Sequence, residues 1–187
     1  MSRARRPPFE AATHNELAHI DFKQGAYERA RAEVTRAQKL YRELEDRHGE
    51  ATTRQKTLAS IDLEQGDYEQ ARAELTRVLT LYREIGGRKG EATTRHQLAS
   101  IDLRQGAYEQ ARTGFTRVLE LCRELGDRHG EATTRLEITR IDVEQGAYEP
   151  ARAELTRVLE LWRELGDRRG EATTLQALAS IDEAMNV

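Results

Sequence analysis

The sequence predicts an all-α protein, a right-handed α-solenoid of four helical hairpins followed by one unpaired C-terminal helix. The first observation is a period of about forty residues: residues 131–170 match residues 91–130 at 27 of 40 positions, and related blocks begin at Glu50 and Glu10. A fixed period of this length is typical of stacked repeats. The second observation is that apolar residues recur three and four positions apart within each block, as in amphipathic helices.

The predicted boundaries follow the repeat. Residues 1–8 are basic and end in two prolines, which predicts a disordered arm. We expect a single domain from residue 9 to residue 187. Its repeats fall at about 9–45, 46–86, 87–126 and 127–166, with a half repeat at 167–187.

The third repeat illustrates the predicted hairpin. Its first helix ends before Gly106, and its second helix ends at Gly126, because glycine tolerates the left-handed conformation that terminates helices. Asp127 is then a favoured N-cap for the next helix. The apolar residues of the second helix are spaced 3, 4, 3, 4 and 3 apart: Tyr108, Ala111, Phe115, Val118, Cys122 and Leu125. Because the turns are short, neighbouring helices are expected to be antiparallel. A ninth helix, at about residues 167–184, covers the last pair but has no partner after it.

One residue is inserted in the first helix of the second repeat, where Glu50 and Asp62 are twelve positions apart instead of eleven. Such an insertion can be absorbed as a π-bulge, a feature often found at functional sites. A tolerated local distortion is the alternative interpretation.

An aspartate recurs near the packed side of every first helix, at Asp21, Asp62, Asp102, Asp142 and Asp182. A carboxylate in that position needs partners, and two series of arginines can supply them. We therefore predict Asp–Arg pairs between helices that set the register between repeats. The arginines are Arg31, Arg72, Arg112 and Arg152, and Arg36, Arg77, Arg117 and Arg157.

Composition excludes several classes of protein. With 30 basic and 33 acidic side chains the net charge is −3, which argues against a nucleic-acid binder that depends on bulk charge. No apolar run reaches the roughly 18 residues that a membrane span needs. The lone Cys122 permits no internal disulfide, as expected of a cytoplasmic protein. The strong preference for arginine over lysine is typical of GC-rich bacterial genomes.

The residues do not predict an enzyme, a metal site or a cofactor. His14 and His19 are five positions apart and do not share the helix face that an i, i+4 metal pair uses. The glycines and Lys89 of residues 86–94 lack the spacing and the preceding strand of a phosphate loop. Cys122 shares its repeat position with Tyr41, Tyr82 and Trp162, which predicts a packing residue rather than a nucleophile.

The recurring residues of the hairpin resemble the tetratricopeptide repeat. In the third repeat these are Leu98, Ala99, Gly106, Tyr108, Ala111, Phe115 and Val118. The second repeat has Leu58, Ala59, Gly66, Tyr68, Ala71 and Leu75 in the same positions, and the fourth has Gly146, Tyr148, Ala151 and Leu155. The repeat is longer than the usual 34 residues and ends in the pattern RELGDRxGEA. That ending is similar to the extended repeats of kinesin light chain, of the Leu-Gly-Asn spindle adaptor and of actinobacterial signalling ATPases and regulators.

The resemblance implies a concave face, lined by the first helix of each hairpin, that binds a peptide or a helix. These positions also vary most between repeats, either because a ligand selects them or because solvated positions drift. The apolar residues among them, one per repeat, either form a binding stripe or pack between adjacent first helices. The expected lining residues are Asn15, His19, Phe22, Lys56, Ser60, Leu63, His96, Gln97, Ser100, Leu103, Arg104, Leu136, Arg140 and Val143.

The predicted function is a non-enzymatic protein-interaction scaffold that binds a protein or peptide ligand, with a place in bacterial signalling or regulation. The alternative is a self-associating structural module, a dimer or filament formed through the terminal helix. A third, more distant hypothesis is that the chain is a fragment of a larger regulator. Fold alone does not decide among them.

Overall fold

A computed structural model describes residues 6–185 of the protein, with side chains from Pro8 onward. These residues form nine helices and no strand. The helices are α1 (Arg6–Lys23), α2 (Tyr27–Glu43), α3 (residues 47–64), α4 (Tyr68–Glu84), α5 (Arg88–Arg104), α6 (Tyr108–Leu125), α7 (Arg128–Glu144), α8 (Tyr148–Leu165) and α9 (Arg168–Met185). The predicted all-α class, built of helical hairpins with a final unpaired helix, is confirmed.

The helices group into two compact units, one ending at Thr94 and the other beginning at Arg95. The boundary falls within α5. The first unit therefore holds α1 to α4 and the start of α5, and the second holds the rest of α5 with α6 to α9. The expectation of a single domain over residues 9–187 stays a prediction.

Helix α1 begins earlier than the sequence suggested. Arg6, Pro7 and Pro8 belong to its first turn, whereas we expected them in a disordered arm. Proline is tolerated there because the first amides of a helix have no carbonyl partner within it. The rest of the predicted arm, residues 1–5, lies outside the described residues.

Helix ends follow the predicted chemistry, with one exception. Gly126 adopts φ +66° at the end of α6, and the Asp127 carboxylate accepts a hydrogen bond from the Gly130 amide at 2.9 Å as the N-cap of α7. The equivalent position after α2 is Glu45, which adopts φ +55°. This conformation is costly for a residue with a Cβ atom, so Glu45 carries local strain.

Close packing between consecutive hairpins depends on a glycine near the start of α3, α5, α7 and α9. In the second unit a Cβ atom on Gly170 would lie 2.4 Å from the Trp162 ring, and one on Gly130 would lie 2.8 Å from the Cys122 sulfur. Cys122 is 3% exposed, which agrees with the predicted packing role. Bulky residues at the end of one hairpin therefore pack directly on the backbone of the next.

The inserted residue in α3 is absorbed as a π-turn at Arg54–Leu58, between α-helical segments Arg47–Thr53 and Ala59–Glu64. The distorted turn buries Gln55, which is 6% exposed. The Gln55 amide donates to the Thr94 hydroxyl at 2.9 Å and accepts from the Tyr82 hydroxyl at 3.3 Å. The π-turn thus places an amide within a buried hydrogen-bond network, which gives it a structural role.

The predicted Asp–Arg pairs between helices are confirmed within each unit. Arg31 donates to Asp62 in the first unit, and in the second Arg112 donates to Asp142 at 2.6 Å and Arg152 to Asp182 at 2.7 Å. The second arginine series, which comprises Arg36, Arg77, Arg117 and Arg157, forms ion pairs within a helix instead. Its members pair with glutamates three positions away on their own helix, as Arg117 does with Glu120, because i, i+3 neighbours lie side by side on a helix surface.

Candidate functional site

An apolar groove of about 450 Å³ lies between α7, α8 and α9 in the second unit. This volume falls in the usual range of ligand sites. Helix α7 supplies Leu136, Glu137, Thr139, Arg140 and Val143, helix α8 supplies Tyr148 and Leu155, and helix α9 supplies Thr173, Ala177, Ser180, Ile181 and Ala184.

Small side chains on α9 open the groove. Ala177, Ser180 and Ala184 occupy the positions that hold Glu137, Arg140 and Glu144 forty residues earlier. The α9 wall of the groove is therefore lined by short side chains at positions where α7 carries long charged ones.

The floor of the groove is part of the hydrophobic core. Leu155 and Ile181 are each 2% exposed and pack with Ala151. Leu136 and Val143 are half-buried against this cluster and keep part of their surface toward the groove. An apolar group of a ligand would thus meet a preformed surface whose side chains are held in place by the core.

The rim carries two charges. Arg140 is exposed and Glu137 is half-buried, and neither forms an ion pair with another side chain of residues 8–185. Most arginines in that range are bound to a carboxylate, as Arg135 is to Glu131 and Glu154. Arg140 therefore keeps a guanidinium available for a carboxylate outside the chain.

Three of the predicted site residues, Leu136, Arg140 and Val143, line the groove. The other predicted residues of the second unit do not. Arg104 is exposed and Ser100 is half-buried on α5, whereas Leu103 is 9% exposed and packs with Phe115. Leu103 therefore belongs to the hydrophobic core of its own hairpin.

His96 and Gln97 are both half-buried, and His96 is part of the packing within its hairpin. The His96 ring packs edge-on against Phe115 with ring centroids 5.2 Å apart. Burial lowers the pKa of His96, and the negative charge of Glu137 opposes that shift. His96 is therefore held as a neutral ring within the packing.

The predicted residues of the first unit lie on two helices. Helix α1 carries Asn15, His19 and Phe22, and helix α3 carries Lys56, Ser60 and Leu63. His19 and Lys56 are exposed and the other four are half-buried. Their role in binding stays a prediction.

Sequence reasoning missed the α9 wall and the two residues of α8. The α9 wall could have been predicted from the repeat, because Ser180 occupies in the half repeat the position that Ser60, Ser100 and Arg140 hold in the earlier repeats. Tyr148 occupies a position that is tyrosine in all four repeats, and Leu155 occupies an apolar position of the repeat, so neither carried a signal that distinguishes it as a site residue.

No group of three or more His, Cys, Asp and Glu side chains within residues 8–185 is arranged to hold a metal ion. None of the helices in the described part of the chain is long and apolar enough to cross a membrane.

The tetratricopeptide repeat family profile matches residues 9–84, 55–124 and 90–164. The sequence has no significant match among curated proteins.

Several solved structures share the fold at low sequence identity. A signal-transduction ATPase with numerous domains and a tetratricopeptide repeat sensor, from Pyrococcus horikoshii, aligns with a TM-score of 0.81 and 14% identity over 97% of this chain and 30% of that one. The Rap conjugation gene regulator of the plasmid pLS20, in complex with a Phr peptide, gives 0.75 and 17% over 93% of this chain and 47% of that one. The tetratricopeptide-like repeats of a kinesin light chain from Podosopora anserina give 0.65 and 14% over 97% of this chain and 98% of that one. The chain thus spans about a third to a half of the first two proteins.

Proposed function

The chain belongs to the tetratricopeptide repeat family, and we propose that it is a protein-interaction scaffold whose groove between α7, α8 and α9 binds a peptide or helix of another protein. The observation that carries the proposal is the combination of a preformed apolar floor with an unpaired guanidinium, that of Arg140, at the rim. Apolar contact supplies affinity in such grooves, and a few polar groups orient the ligand.

The comparisons support a peptide ligand. The Rap regulator of similar fold was solved with a peptide bound, and the Pyrococcus protein is described as carrying a repeat sensor. By analogy we place this protein in bacterial signalling or regulation, in the cytoplasm, as a binding module without catalytic activity.

A selection experiment tests the proposal. Random-sequence peptides displayed on phage are selected against the full chain, and the affinities of the selected peptides are measured by calorimetry. The test variant is Ala177→Glu with Ser180→Arg, which restores the side chains of the fourth repeat and fills the groove. We expect binding to weaken at least about tenfold, or about 1.4 kcal/mol.

The matched control is Arg117→Ala, which alters an exposed residue of α6 away from the groove. Both proteins should keep the helical circular-dichroism spectrum of the parent. Selected peptides that bind the filled-groove variant as tightly as the parent would contradict the proposal, as would a selection that enriches no peptide.

The alternative function, self-association through the terminal helix, concerns a different face of α9. The exposure of Leu175, 48%, favours it. It is compatible with an open groove.

A further inference from the structure

One face of α9 lacks the cover that the same face has in the preceding hairpin. In α7, Ala132 packs on Val158 and Trp162 of α8, and Thr139 is 1% exposed. Forty residues further on, the equivalent positions are Ala172 and Ala179, and both are exposed because no helix follows α9 in the described chain. Within residues 8–185, no helix therefore covers the face between them.

The central residue of this face departs from the repeat. Arg54, Arg95 and Arg135 hold the position in earlier repeats, and Arg54 and Arg135 pair with Glu74 and Glu154 of their own hairpins. In α9 the residue is Leu175. An arginine would suit a helix face that is exposed to water, whereas a leucine is suited to contact with an apolar partner. We refer to Ala172, Leu175 and Ala179 as the bare face.

The charges that flank the bare face are arranged symmetrically about Leu175. Arg168 precedes it by seven positions and Asp182 follows it by seven, so all three lie on one side of the helix. Together with Glu171 and Leu178 they are spaced 3, 4, 3 and 4 apart, the pattern of a helix–helix seam. Reversing the direction of the helix exchanges the cation with the anion and leaves Leu175 in place.

We propose that a second copy of this chain covers the bare face, with the two α9 helices antiparallel across a two-fold axis that passes near Leu175. In that arrangement Leu175 meets its own counterpart, and Ala172 of each copy lies beside Leu178 of the other. Arg168 of each copy faces Asp182 of the other. The contact is isologous, so it closes as a dimer.

The charges at the ends of α9 fit this arrangement. Arg168 is exposed and forms no ion pair with any side chain among residues 8–185. Asp182 accepts a hydrogen bond from Arg152 at 2.7 Å and remains 50% exposed, so a second cation can approach it. Like charges would meet instead if the two helices were parallel and in register, and this favours the antiparallel pairing.

The dimer does not depend on the proposed peptide site. Ala177 and Ser180, which line the groove, lie two and five residues beyond Leu175, so at 3.6 residues per turn they point about 160° and 140° away from it. A dimer formed on the bare face leaves the groove open, and the two proposals stand or fall separately.

Sedimentation equilibrium of the full chain over a wide range of concentration tests the proposal. We expect a monomer–dimer equilibrium that saturates at two copies. Leu175→Arg restores the residue of the earlier repeats at an exposed position, and we expect it to raise the dissociation constant at least about tenfold. Gln176→Arg adds the same charge at an exposed neighbour outside the seam and should leave the constant unchanged.

A charge exchange tests the two-fold geometry. Arg168→Asp should weaken the dimer by placing two carboxylates together, and adding Asp182→Arg to it should restore the affinity. Melting curves of all variants confirm folding. A parent protein that stays monomeric, or a Leu175→Arg variant that associates normally, overturns the proposal. A head-to-tail contact would instead join α9 of one copy to α1 of the next, where Leu17 is 43% exposed. Polymers that keep growing with concentration, and that Leu17→Arg abolishes, would therefore overturn the proposal as well.

Discussion

The Arg112 guanidinium donates a hydrogen bond to the Asp142 carboxylate at 2.6 Å and so joins the second helix of one hairpin to the first helix of the next. The same guanidinium nitrogen donates to the Gln145 side chain at 3.2 Å. The carboxylate is 19% exposed and the guanidinium 33% exposed, so the pair lies at the edge of the packed seam. A contact of this kind fixes the register between two neighbouring hairpins. Apolar packing alone constrains that register less, because it is not directional.

We predict that Asp142→Ala lowers the free energy of unfolding by about 1–2 kcal/mol, because a charge-assisted, partly buried hydrogen bond is lost. Urea denaturation followed by circular dichroism measures the change. Glu120→Ala provides the comparison, since it breaks the exposed Arg117–Glu120 pair within one helix and should cost less than about 0.5 kcal/mol. Equal effects of the two variants would show that the inter-hairpin pair has no special role.

We predict that Glu45→Gly stabilises the protein by about 0.5–1 kcal/mol. Glu45 has a positive φ at a position that is glycine after α4, α6 and α8, and relief of that strain outweighs the larger chain entropy of glycine in the unfolded state. Thermal melting measures the gain. Glu43→Gly, within the last turn of α2, introduces glycine where φ is negative and should destabilise instead. A loss of stability in both variants would mean that Glu45 is not strained.

We predict that lowering the pH reduces the free energy of unfolding and that protonation of His96 is a cause of this loss. Burial lowers the pKa of His96 in the folded chain, so between that pKa and the unfolded value of about 6.5 the unfolded state binds more protons. The stability contributed by the neutral ring is therefore fully present above pH 6.5 or so and decreases as the pH falls below it. His96→Leu, which copies Leu136 of the next repeat, should reduce the loss of melting temperature between about pH 7.5 and 5.5. An identical loss in the parent and in the variant would exclude His96 as the cause.

Some residues of the site could be predicted from the sequence, and others could not. Leu136, Arg140 and Val143 were predicted because the resemblance to the tetratricopeptide repeat implies that one face of each first helix lines the binding surface. Leu103 shows the limit of that argument. It shares its position with Val143, but the structure buries it against Phe115, where the next repeat has Leu155 in the Phe115 position.

The fold class, the hairpins, the turns and the Asp–Arg pairs followed from the linear order of residues, because each depends on spacing within one repeat or on the offset between adjacent ones. The location of the groove did not. It depends on which surfaces remain uncovered after the helices pack. Helix α9 carries Ala177 and Ser180 toward the groove, whereas Leu175 is 48% exposed among the residues that the structure describes. Exposure is a property of the assembled helices. Nearly identical repeats therefore share local structure yet differ in what their surfaces can bind.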